Sequence, residues 1–135
     1  MSNAKLSELK AQIAKLREDA QAEAKAVFYE GAKQAFNKHP ELKAYRWTQY
    51  TPYFNDGDAC VFNSHHEYPE LEFNGDGKVG DFKDGYDSKE HKEVYEAVHT
   101  FLQQFEDDDF EAMFGDHVQV TVTADGVKVD EYDHD

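Results

Sequence analysis

One cysteine and three prolines in 135 residues remove whole classes of protein. A lone Cys60 cannot close an internal disulfide, so a disulfide-stapled secreted scaffold is excluded and a reducing cytoplasm is the expected setting. No apolar run approaches the roughly 20 residues that cross a bilayer as a helix, and the start, Met1-Ser2-Asn3-Ala4, lacks the basic and apolar regions of a signal peptide. Those four residues read as the remnant of a tag, which leaves 5–135 as a single domain. A chain of this length buries roughly two thirds of its unfolded surface around one core without a metal.

Positive charge is the second scarcity. Lysine and arginine number 14 against 29 aspartates and glutamates, a net charge of −15. The imbalance is uneven: residues 1–46 hold 9 basic and 6 acidic side chains, whereas residues 47–135 hold 5 basic and 23 acidic. Such a field repels nucleic acid and anionic lipid and attracts basic protein surfaces, so neither direct nucleic-acid binding nor membrane binding is expected. A solubilising coat is the plainer meaning of the same charge.

Catalytic motifs are missing as well. The chain contains no GxxxxGK[ST], no GxGxxG after a strand, no GxSxG, no HExxH and no CxxC. Carboxylate pairs are too plentiful for any to be singled out as an acid/base dyad, and no catalytic residue is assigned. His65-His66-Glu67 and the group His117, Asp133, His134 and Asp135 hold metal-ligating side chains. In an extended segment, however, neighbours point to opposite faces, so His65 and His66 do not readily share one ion. Cys60 falls inside an expected strand and reads as a small buried thiol.

What is present is strongly patterned. Residues 5–38 read as one long helix ended by His39-Pro40, with Leu6, Leu9, Ile13 and Leu16 at three-and-four spacing. Ala20, Ala24, Val27, Phe28, Ala32, Ala35 and Phe36 continue the stripe. The first part, 5–20, resembles a short coiled coil that protrudes from the domain, and a homodimer through this helix is one expectation. Leu42–Tyr50 and Ala59–Asn63 read as strands joined across Asn55-Asp56-Gly57-Asp58. The alternation places Tyr45, Trp47 and Gln49 on one strand face and Arg46, Thr48 and Tyr50 on the other. Residues 64–87 read as a long loop. Asp87-Ser88-Lys89-Glu90 has the form of a capping box opening an amphipathic helix with Val94, Tyr95, Val98, Phe101, Leu102 and Phe105 on its buried stripe. Glu106–Asp109 breaks that pattern, and Phe110, Met113 and Phe114 before Gly115 give one more short helical turn. Val118, Val120 and Val122 alternate, Asp125-Gly126 suits a type I′ turn, and Val127 and Val129 return. The order α-β-β-α-α-β-β implies an α+β fold, an antiparallel sheet of about four strands with helices on one face.

Two surface sites follow from these residues. Tyr53 and Phe54, beside Asp56 and Asp58, are anchor-type side chains for a protein partner with a basic surface, and Glu106, Asp107, Asp108, Asp109 and Glu111 would steer its approach. This non-enzymatic interaction role is the leading reading. The alternative is a calcium module: residues 72–84 partly match an EF-hand loop, with Asn74, Asp76 and Asp81 as oxygen ligands. That loop opens on Glu72 where aspartate is wanted and has Lys83 at its closing position. No cofactor besides calcium is expected. An enzyme with an unrecognised carboxylate or histidine site is the remaining alternative.

The segment RWTQYTPYFNDGDACVF, together with the terminal GDHVQVTVTADGVKVDEYDHD, resembles small uncharacterised proteins of tailed bacteriophages and some bacteria, over most of residues 28–135. The resemblance implies a phage or mobile-element setting and supplies no catalytic residues.

Overall fold

The computed structural model describes residues 3–53, 57, 60–75, 80–85 and 87–133. The first element, α1 (Asn3–Lys38), is rich in Ala, Leu, Lys, Glu and Gln, all good helix formers. It stops because the residue before Pro40 is pushed out of the helical region, and the His39 N–H closes the last turn on the Ala35 carbonyl at 2.9 Å. Only Phe28, Ala32 and Phe36, spaced by four, are buried.

The central strand β1 (Leu42–Tyr50) carries β4 (Val118–Thr123) on one side, and β4 carries β5 (Gly126–Glu131). Along its other side β1 is paired by two short segments, β2 (Asn63–Ser64) and β3 (Glu70–Phe73). All pairings are antiparallel. Register aligns Leu71, Tyr45, Val122 and Val127 across the sheet, and Trp47 lies beside Val120. After a 3-10 turn at Lys89–His91, α2 (Lys92–Leu102) and α3 (Asp107–Phe114) follow. With the end of α1 they cover this sheet face, burying Val94, Val98, Leu102, Phe105, Phe110, Met113 and Phe114. Phe28 is the hub: its ring lies 5.4–6.2 Å from those of Trp47, Phe101, Phe105, Phe110 and Phe114, so one residue of α1 ties both later helices to the sheet.

The α+β class, the long first helix and the antiparallel sheet agree with the sequence, while several details differ. The sheet has five strands, because Glu70–Phe73 in the expected loop pairs with Leu42–Arg46 and also meets Lys83. Of the strand expected at Ala59–Asn63, residues 60–62 are not in a strand, Asn63 pairs within Asn63–Ser64 and Ala59 lies outside the described residues; Cys60 is exposed. Ser88 makes no side-chain cap; its hydroxyl donates to the Lys83 carbonyl at 3.4 Å. The capping box belongs instead to α3, between Glu106 and Asp109. The last hairpin turns on Ala124-Asp125, since Thr123 faces Gly126. Among the described residues His117 alone, apart from glycines, has positive φ, which excludes a type I′ turn there; Gly126 takes φ 145° instead.

Candidate functional site

Most of α1 lies outside the core. Leu6, Leu9, Ile13 and Leu16 are 39–68% exposed, as is Val27 at 53%. At 1.5 Å per residue, the 25 positions before Phe28 project for about 37 Å. The stripe does not end where the helix meets the domain. Val27, Gly31 and Ala35 continue it into a groove of about 630 Å³ shared with Ala97 and Phe101 of α2 and rimmed by Glu30, Gln34, Lys38 and Gln104. Gly31 leaves room for Phe101 at this contact: a β-carbon there would stand 2.3 Å from Cε1 of Phe101, so any larger residue would push the ring aside. Sequence reasoning reads Val27 and Ala35 only as more stripe and leaves Gly31 out of it; the signal available is the change from Leu and Ile to Ala and Gly at constant spacing.

The proposed partner-binding residues separate into two places. Tyr53 is 63% exposed and stacks on His117 at 5.0 Å. Beside it, Asp116 accepts from the Thr51 N–H and hydroxyl, both at 2.7 Å. Burial pushes the Asp116 carboxyl up, yet the Thr51 hydrogen bonds and neighbouring His117 together hold it below the ordinary aspartate value. Phe54, Asp56 and Asp58 lie outside the described residues.

The acidic run sits at the start of α3, where three carboxylates already have structural partners. Asp109 accepts from the Glu106 N–H at 2.9 Å, and the Glu106 side chain accepts in return from the third helical N–H. Asp107 accepts from the Ser64 N–H at 3.1 Å and lies 3.8 Å from Nδ1 of His66. Carboxylates at a helix N-terminus also oppose the positive end of its dipole. Asp108 and Glu111 are exposed.

His65 and His66 face different surroundings, although both lie past the end of β2, His66 in a turn. The His65 ring packs on Tyr50 at 4.9 Å, while His66 is buried against Phe110 at 4.5 Å with Nδ1 unpartnered. Burial lowers the His66 pKa against the opposing pull of Asp107 and Glu67, so its ring is held neutral. In the proposed calcium loop, Asn74 donates to the Pro40 carbonyl at 3.0 Å. Glu72 is buried within β3, where it accepts from the Gly80 N–H and faces Lys43 at 3.9 Å. Asp81 is exposed, and Asp76 lies outside the described residues. Among the described residues, no cluster of three His, Cys, Asp or Glu side chains could hold a metal ion. No described helix is long and apolar enough to cross a membrane.

No protein-family model, curated protein or solved structure matches this chain.

Proposed function

We propose that this chain is a non-enzymatic protein-interaction factor whose acidic domain docks on a basic surface of another protein. The observation that carries the reading is the exposed Tyr53 ring, stacked on His117 at an end of the sheet in the strongly acidic part of the chain. A large aromatic in that position supplies contact area at little conformational cost. Asp108 and Glu111 supply long-range attraction, since their carboxylates are not engaged in the α3 cap. In the phage setting that the sequence resemblance implies, the partner is a host protein met in the host cytoplasm.

The test is a pull-down from host lysate at low and high salt with the native chain and with Tyr53→Ala. A partner retained at low salt, weakened at high salt and lost with the variant supports the reading; retention of nothing at either ionic strength overturns it. A second reading rests on a different observation, the exposed Leu/Ile stripe of α1. It is self-association of the chain through that helix, which sedimentation of the purified protein tests.

A further inference from the structure

We infer that two copies of the chain pair through α1 in antiparallel orientation, the tip of each helix seating in the groove between α1 and α2 of the other. This rests on the reading of α1 as a pairing helix and adds its direction, register and receptor.

Size complementarity sets the direction. The first half of the seam is Leu6, Leu9, Ile13 and Leu16, all large and exposed. The second half, at the same three-and-four spacing, is Ala20, Ala24, Val27 and Gly31. Placed antiparallel about a point near residue 18, Leu16 meets Ala20, Ile13 meets Ala24, Leu9 meets Val27 and Leu6 arrives at Gly31, where the Phe101 ring receives it. Leu9, Ile13 and Leu16 then each fall opposite a smaller side chain, as interdigitated packing requires. A parallel pair would set large on large along one half and small on small along the other, leaving voids in the second.

Charge selects the same direction. Residues 5–17 hold Lys5, Lys10, Lys15 and Arg17 against Glu8, a balance of +3. Residues 18–30 hold Glu18, Asp19, Glu23 and Glu30 against Lys25, a balance of −3. Antiparallel pairing lays the basic half on the acidic half, whereas parallel pairing lays like on like.

The groove supplies the receptor. In this register Leu6 reaches the apolar floor formed by Val27, Ala35, Ala97 and Phe101, where Phe101 covers Gly31. Glu30 stands on the rim, and a neighbouring groove carries it on past Glu93 and Glu96, so the incoming tip with Lys5 approaches three carboxylates beside Lys38 and His39. The overlap from residue 6 to residue 31 exceeds three heptads, enough for a lasting helix pair.

Sedimentation of the purified chain across the micromolar range should give twice the chain mass, with the double variant Ile13→Glu, Leu16→Glu monomeric. Both positions are exposed in the single chain, so the variant keeps the packed domain, read as the near-ultraviolet circular dichroism of the buried Trp47. Direction is read from spin labels on Ser7→Cys in a Cys60→Ser background. Antiparallel pairing separates the two labels by about 34 Å along the axis; parallel pairing brings them within roughly 20 Å. A native chain that stays monomeric, a double variant that stays dimeric, or a short label distance each overturns the proposal. Because only purified protein is used, a failure here leaves the docking of Tyr53 on a foreign surface untouched.

Discussion

The side chain that most constrains the domain is Gln49, a residue whose type alone suggests a solvent-facing position. It is fully buried, accepts from Trp47 Nε1 at 2.9 Å, and donates to the carbonyls of Phe110 at 2.9 Å and Gly115 at 2.7 Å. The amide thus fastens both ends of α3's second half to the central strand while satisfying the indole. Gln49→Leu keeps the approximate volume but leaves the buried Trp47 N–H and Phe110 carbonyl without this partner, and the half-buried Gly115 carbonyl as well; at roughly 1 kcal/mol for each buried group, urea denaturation should show a loss of about 2 kcal/mol. Tyr45 is the opposite case. Its hydroxyl is buried without a hydrogen-bond partner, and burial raises its pKa well above the ordinary tyrosine value. Tyr45→Phe removes a desolvated group that bonds to nothing, so stability in the same measurement should stay level or rise. Alternation along residues 45–49 identified the face that carries both side chains. Which polar atoms on that face find partners depends on α3, more than sixty residues away, and no local pattern encodes it.

Among the elements, α3 and β3 show where local signals compete. Glu106–Asp109 reads from the sequence as an acidic interruption, yet it is the start of a helix, with reciprocal capping between Glu106 and Asp109. Asp87–Glu90 matches the capping pattern on paper but leads into a 3-10 turn at Lys89–His91 with no side-chain cap, and the Ser88 hydroxyl donates to Lys83 instead. Asp109→Ala should therefore cost about 1 kcal/mol in thermal or urea denaturation, while Ser88→Ala should cost less than half of that. The β3 strand escaped notice because Glu70 and Glu72 flank Leu71 in a glycine-rich stretch. Its burial depends on neighbours supplied by folding: Lys43 and the Gly80 N–H for Glu72, and Arg46 for Glu70 at 3.2 Å. Arg46 in turn lies 4.0 Å over the Phe82 ring. The helix α1 was legible throughout, since its period and its Pro40 stop are both local.

For the whole molecule, two titrations shape the dependence of stability on pH. His66 has a folded pKa below its unfolded value, so the unfolded chain binds protons more readily. Its contribution is complete above pH ~6.5 and declines as the pH falls through that value toward the folded one. Thermal melts from about pH 8 to about pH 5 should show a falling transition temperature, and His66→Phe, which retains a ring against Phe110, should flatten that slope. Asp116 acts lower on the scale. Its depressed pKa stabilises the fold above the unfolded aspartate value and that contribution is lost as the pH falls through the folded one, so Asp116→Asn should lower the transition temperature at neutral pH and converge with the native chain at the acid end of the curve. By itself the sequence determined the helix, the central and C-terminal strands, the two faces of the central strand and the uneven charge, because each depends on neighbours within a turn or a pleat. Tertiary structure alone decided that the acidic run caps a helix, that Gln49 is a clamp and that the helical stripe enters a groove. Those outcomes depend on which distant groups meet, and partners brought together only by packing leave no period in the chain.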